Sequence, residues 1–320
     1  MPEIVAIDLG GTHARFAIAS QKNRSARPVL GEVITLSTGD YPSLADAWRD
    51  FEHKAEKSLP RCAAIAAAGP VHDGRIEMTN QPWDIDRQSI ASAVGLDHVF
   101  LINDLEAIAQ AAAHAHNDEL ADISGSPEPL PADGLISIVG IGTGLGTAML
   151  IRKDGSVETR AAEGGHIGFA PVDDFEIKLL GQLQNQFGRV SAERVASGPG
   201  IVAIHELIGG KPGASDQELW RKAMSGSDAD AEEAARHICR SLGSFAGDLV
   251  LAHGANAVIL TGGLGRRLEG LLPGSGFIER FRAKGRFADD MARIPVKLLK
   301  MDQPGLLGAA IAFFSSEACL

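Results

Sequence analysis

The chain has 320 residues, 45% hydrophobic and 22% charged, and its 30 basic against 41 acidic side chains leave a formal net charge of −11. That is the composition of a globular protein long enough for two domains, and its acidic balance excludes a general nucleic-acid binder, which needs a basic face. No leader-like segment opens the chain and no apolar run reaches membrane-spanning length, so a cytoplasmic protein with no membrane or nucleic-acid partner is expected. The cysteines Cys62, Cys239 and Cys319 fit no zinc spacing and read as reduced thiols.

The first predicted element is a β-hairpin, IVAIDLGGTHARFAIA (4–19), with a strand running into Asp8 and a Gly10-Gly11-Thr12 turn. Such a turn brings backbone N–H groups close to an anion, yet no lysine follows it and a carboxylate precedes it. EVITLS (32–37) reads as a third strand, and 41–58 as a helix with Leu44, Ala47, Trp48 and Phe51 on one face and Ser43 as cap. CAAIAAAG (62–69) and VFLIND (99–104) read as buried strands, and LEAIAQAAAHAH (105–116) as an alanine-rich helix. At 135–165 the pattern restarts with a strand, a glycine-rich turn, a second strand, an Asp154-Gly155 turn and a third strand. Two copies of a three-strand meander, each followed by strand–helix units, are therefore predicted. The later units are ANAVILTGG (255–263) and IPVKLL (294–299), the latter before GLLGAAIAFF, while polar 209–237 reads as a surface excursion.

Four glycine-rich turns, DLGGT, GIGTGLG, SGPG and LTGGLG, each read as following an apolar strand, and turns at strand ends project into a ligand crevice in α/β sheets. The common nucleotide fingerprints are absent: GGKPG (209–213) lacks P-loop spacing, and GIGTGLG meets GxGxxG in no register. Its glycine comb, with Thr143 and Thr147, suits hydrogen bonding to phosphate oxygens. In LINDLEA, Asn103 and Asp104 fit two roles. They can cap the helix, or Asp104 can take a proton from a hydroxyl while Asn103 positions it. A helix N-terminus keeps the carboxylate ionised, which suits phosphoryl transfer, where orientation matters more than base strength. Glu163 and His166 in EGGHIGFAP, with Glu193 in VSAERVASGPG, suit a polyhydroxylated ligand. A metal half-site at Glu163 and His166 lacks a partner histidine, and the remaining histidines read as surface residues.

In this order, DLGGT, the IND strand end, GTGLG, EGGH, SAERV with SGPG, and the TGGL turn resemble the bacterial glucokinases of the actin-like ATPase and sugar-kinase superfamily, specifically the proteobacterial type. EMTNQPW, KGRF and QPGLLG extend the likeness from residue 4 to about 309, and the cysteine-rich motif of the other bacterial glucokinase type is missing. The resemblance implies an α/β fold of two actin-like ATPase (ribonuclease H-like) domains with a ligand cleft between them. Residues 1–106 with 305–320 would form the small domain and 107–304 the large one. It implies ATP-dependent phosphorylation of D-glucose at its 6-hydroxyl, with Asp104 as catalytic base and Asn103, Asp104, Glu163, His166 and Glu193 as the glucose-contacting set. Ile7, Asp8, Leu9, Gly10, Gly11 and Thr12, with Thr143 and Gly144, would form the phosphate loops, and Gly262 and Gly263 the adenosine-side turn. Mg²⁺ would bridge the phosphates, its water shell oriented by Asp8. A cytoplasmic homodimer with glucose and ATP as ligands is implied. A mannose or fructose kinase and a non-catalytic sugar-sensing ATP-binding protein are the rivals. Relatives usually carry Asn where this chain has His13, which leaves the side-chain role at that position open.

Overall fold

The computed structural model describes residues 1–78, 83–125, 127 and 129–316, so part of EMTNQPW and Cys319 lie outside the described residues. β1 (Glu3–Leu9) and β2 (His13–Ser20) form the predicted hairpin, followed by β3 (Val29–Leu30), β4 (Ile34–Ser37), α1 (Leu44–Ala55) and β5 (Cys62–Ala67). A small sheet of β6 (Val71–His72), β7 (Arg75–Glu77) and β8 (Asp84–Asp86) leads into α2 (Arg87–Val94), β9 (His98–Asn103) and α3 (Asp104–Ala113). Then come β10 (Leu120–Ser124), β11 (Gly134–Ile141), β12 (Leu145–Lys153), β13 (Ser156–Ala162), α4 (Asp174–Phe187), α5 (Ala192–Val195) and α6 (Gly200–Ile208). The chain closes with α7 (Asp216–Ser225), α8 (Ala229–His253), β14 (Ala257–Thr261), α9 (Gly263–Arg267), α10 (Phe277–Arg282), α11 (Ala288–Met291), β15 (Val296–Leu299) and α12 (Pro304–Ser315).

These elements form two compact units, one of residues 1–115, 157–161 and 301–320, the other of 116–156 and 162–300. The first unit's sheet runs β3-β2-β1-β5-β9 with β4 also on β2, and the second's runs β10-β15-β14-β11-β12-β13. β1 pairs antiparallel with β2 and parallel with β5, and β11 likewise pairs antiparallel with β12 and parallel with β14. The predicted duplication is thus a duplication of strand order. In this division α3 stays whole and lies in one unit with α12. A Cβ on Gly308 would stand 1.7 Å from the Ala107 carbonyl oxygen, so only glycine allows that approach.

Strand alternation sets the layers of the first unit. Val5, Ile7 and Leu9 of β1 face a core with Phe16, Trp48 and Phe51, whereas Ile4 and Ala6 face α12 through Leu306, Ala310 and Phe313. Asp8 shares the parity of Ile4 and Ala6 and so lies on the α12 face. In the second unit, Val139, Ile141, Leu260 and Leu298 pack beneath α8 and its neighbours.

Two expectations are corrected here. Residues 229–237 are no surface excursion but the start of α8, with Ala231, Ala234 and Ala235 fully buried. SGPG follows the short helix α5, not a strand. Among the described residues no helix is long and apolar enough to cross a membrane.

Candidate active site

In the first unit, register brings two of the predicted motifs to one sheet edge. Leu9 pairs with Ala67, and Ala67 with Asn103, so the DLGGT turn and the IND strand end lie in one row at the C-terminal ends of parallel strands. The hairpin turn is closed by the Gly10 N–H donating to the His13 carbonyl at 2.9 Å. Thr38 braces it from β4's end, its N–H donating to the Thr12 carbonyl at 3.0 Å. Ile7 is buried, whereas Gly11 and Thr12 are exposed at the tip. The His13 ring answers the open question at that position: its Nδ1 shares a 2.8 Å hydrogen bond with the Thr12 hydroxyl.

Asp8 has a partner that sequence reasoning missed. Arg15 pairs directly opposite it in the hairpin register and its guanidinium donates to Asp8 Oδ2 at 3.2 Å. The signal was present, since fixing the turn at Gly10–Thr12 fixes which residue faces position 8. Burial pushes the Asp8 carboxyl above the usual carboxylate range, and Arg15 offsets part of that shift. The carboxylate sits over the start of α12, where a Cβ on Gly305 would come within 2.8 Å of it.

At the end of β9 the two readings of Asn-Asp separate onto two residues. Asn103 is the cap: its Oδ1 accepts from the N–H groups of Leu105 and Glu106 at 2.9 and 3.1 Å, and its Nδ2 donates to the Gly69 carbonyl at 3.1 Å. Asp104 is the first helical residue, half-buried, with Oδ1 accepting from the Leu105 N–H at 2.8 Å. The Glu106 N–H is thus met by Asn103, and the Leu105 N–H by both residues.

The second unit gathers the other predicted residues. The Gly142–Gly144 turn joins β11 to β12, closed by the Gly142 N–H donating to the Gly144 carbonyl at 2.9 Å. Thr143 is exposed at its tip, and the Thr143 and Gly144 N–H groups have no protein acceptor among the described residues. SGPG docks on this turn through the Gly198 N–H, which donates to the Gly142 carbonyl at 2.8 Å. Glu193 Oε2 accepts from the Leu145 N–H at 2.9 Å and would lie 2.7 Å from a Cβ on Gly144. Gly262, at φ +94°, closes on Ile141, whose carbonyl oxygen would be 2.3 Å from a Cβ there. Gly263 then opens α9. Glu163 and His166 are exposed, their charged ends 3.9 Å apart. The segment after them is pinned to Glu193's helix by the Ala192 N–H donating to the Ile167 carbonyl at 2.9 Å.

Thr147 departs from its predicted role. It is 1% exposed and its hydroxyl is committed within the protein, so it offers nothing to a phosphate. Burial also corrects the surface reading of His205, which is 4% exposed on α6. A pocket of about 290 Å³ is lined by Thr143, Glu193, Gln186, Phe187, Pro199 and Gly200 among others, with the Arg194 guanidinium 4.0 Å above the Phe187 ring. Among the described residues no cluster of three or more His, Cys, Asp or Glu side chains forms a metal cage.

The chain matches the family model described as Glucokinase over residues 5–316. It is 48% identical over 316 residues to the Glucokinase of Zymomonas mobilis, covering 97% of each chain. Among solved structures it is similar to a glucokinase from an Antarctic psychrotroph, at 31% identity and TM-score 0.84, covering 99% of this chain and 100% of that one. A ROK family glucokinase from Streptomyces griseus, in complex with glucose and AMPPNP, shares the fold at 19% identity and TM-score 0.66, covering 97% and 98%. The mixed α/β architecture with two units is the actin-like ATPase fold of these sugar kinases. Matched along nearly its whole length, the chain belongs to the glucokinase family.

Proposed function

We propose that this enzyme transfers the γ-phosphoryl group of ATP to the 6-hydroxyl of D-glucose, with Asp104 as catalytic base. The observation that carries this reading is the division of labour at the end of β9. Asn103 caps α3 and ends the strand row shared with the DLGGT turn, and Asp104 follows it as the first helical residue, half-buried beside that row. Asp104 takes the hydroxyl proton as the sugar oxygen attacks phosphorus, and the helix N-terminus keeps the carboxylate ionised beforehand. Asn103 positions that end of the sugar. Glu163, His166 and Glu193 hold hydroxyls around the anomeric end, the carboxylates accepting and the imidazole donating or accepting.

The two glycine loops, Ile7–Thr12 and Thr143–Gly144, take the phosphates, with the Thr143 and Gly144 N–H groups among the donors. The Gly262–Gly263 turn serves the adenosine side. The pocket of about 290 Å³ shares Thr143 with the phosphate turn and has room for a nucleoside. Asp8 fits a magnesium ion held through water: it is a single carboxylate rather than a cage, and Mg²⁺ keeps most of its waters beside phosphates. When bound, the ion neutralises phosphate charge. The same reading takes a cytoplasmic homodimer as the working form, in keeping with the free thiols of Cys62 and Cys239.

A coupled assay with MgATP and glucose, mannose, fructose and N-acetylglucosamine tests the proposal, with glucose expected to give the highest kcat/KM. Preference for another hexose would reassign the substrate, and sugar binding without phosphate transfer would reassign the protein as a sensor. Asp104→Ala is expected to lower kcat by roughly 10²–10⁴-fold with the fold intact. Near-wild-type kcat in that variant would remove Asp104 from the chemistry.

A further inference from the structure

Thr147 contacts the backbone on both sides of Glu163. Its hydroxyl donates to the Ala162 carbonyl at 2.8 Å and accepts from the Gly164 N–H at 2.9 Å. These two partners flank Glu163 on either side, so one buried oxygen brackets the peptide units of that residue. Glu163 itself takes φ −95° and ψ +41°, outside both helix and strand, a conformation the bracket holds in place. The neighbouring glycines fit the same contact. A Cβ on Gly164 would come 2.7 Å from the Thr147 hydroxyl oxygen, and one on Gly165 would come 1.8 Å from the Leu145 carbonyl oxygen. Two residues before Thr147 on β12, the Leu145 N–H holds the Glu193 carboxylate.

We infer that Thr147 is a positioning residue for sugar recognition, fixing Glu163 through the Ala162–Gly164 bracket, while Leu145 fixes Glu193 from the same strand. The first three residues of β12 thereby set both acidic sugar contacts directly behind the Thr143–Gly144 turn. The inference rests on the proposed role of Glu163. Glu163 is exposed, and among the described residues its side chain makes no hydrogen bond and one long ion-pair contact, to His166 at 3.9 Å. Its placement must come from the backbone, and Thr147 supplies the backbone contacts. Misplacing a substrate-positioning group by about 1 Å can cost on the order of 100-fold.

Thr147→Val keeps shape and removes the hydroxyl. It is expected to raise the glucose KM about 10- to 100-fold with the ATP KM unchanged within about twofold, and Thr147→Ser is expected to restore it. Gly164→Ala, which pushes on the same oxygen, should raise the glucose KM likewise. A double-mutant cycle gives the sharper reading, because a residue acting through Glu163 adds nothing once that carboxylate is gone. Glu163→Gln with Thr147→Val should therefore be no worse than Glu163→Gln alone. Additive losses, or a wild-type glucose KM in Thr147→Val beside an impaired Glu163→Gln, would overturn the positioning role and leave Glu163 in place. An equal rise of both KM values with a lowered Tm would make Thr147 a fold residue. A wild-type glucose KM in Glu163→Gln would overturn the sugar reading of Glu163 and the bracket with it.

Discussion

Asp8 shows how one carboxylate is set by its surroundings. The hairpin places Arg15 opposite it, strand parity turns it toward α12, and Gly305 leaves it room. Burial raises its folded pKa above the unfolded value despite Arg15. A carboxyl raised on folding contributes stability below its unfolded pKa, and that contribution is lost as pH rises through the folded pKa. At neutral pH the ionised group is thus a cost, retained for its proposed role beside the phosphates. Asp8→Asn is expected to raise Tm at pH 7, with the gain vanishing below about pH 4. Its kcat should fall while the glucose KM stays near wild type. Thermal melts across pH, run beside steady-state kinetics, check both. A Tm deficit at pH 7 would show that the Arg15 pair outweighs desolvation. Arg15 was hidden to a motif search because its meaning lies in cross-strand register, not in spacing to the glycines.

Among the elements, glycine has opposite values in two helices. Gly308 of α12 faces the backbone of α3, and any side chain there would collide with the Ala107 carbonyl. Gly181 lies exposed inside α4, with nothing within 4 Å of the Cβ it lacks. Gly308→Ala is therefore expected to destabilise by about 2–3 kcal/mol through overpacking. Gly181→Ala should stabilise by about 0.5–1 kcal/mol by removing glycine's entropy loss in a helix. Denaturant titration of both variants distinguishes them, and the same sign for both would discard the packing argument. The sequence shows two glycines in helical surroundings and nothing that tells them apart. α8 was misread for a related reason. Its first turns carry Glu, Arg and His that look solvated, while the buried face is built from Ala231, Ala234 and Ala235, too small to mark a hydrophobic stripe.

For the whole molecule, the net charge of −11 offers no general attraction to a polyanionic donor. On the proposed reading, affinity for phosphate comes from local groups at the two glycine turns. If glucose binds only the folded protein, ligand at 100 times its Kd adds about 2.7 kcal/mol to stability. Tm should therefore rise on titration with glucose and stay unchanged with a hexose that is not phosphorylated. Absence of a shift at glucose concentrations that saturate turnover would contradict that binding.

The sequence by itself determined the duplicated strand order, the glycine turns of the two hairpins, the cap Ser43, and the ordered motifs that carry the family. These are local matters, since periodicity, turn chemistry and motif order are written in neighbouring residues. Only the tertiary structure decided that Asn103 is the cap and Asp104 the first helical residue, that Arg15 accompanies Asp8, and that Thr147 brackets Glu163 instead of facing phosphate. It also decided where a double glycine serves close packing: Gly164 and Gly165 lie against Thr147 and Leu145, about twenty residues away along the chain. A hydroxyl or a glycine looks the same in sequence wherever it points. Its role is fixed by which backbone groups the folded chain brings within hydrogen-bond or contact distance.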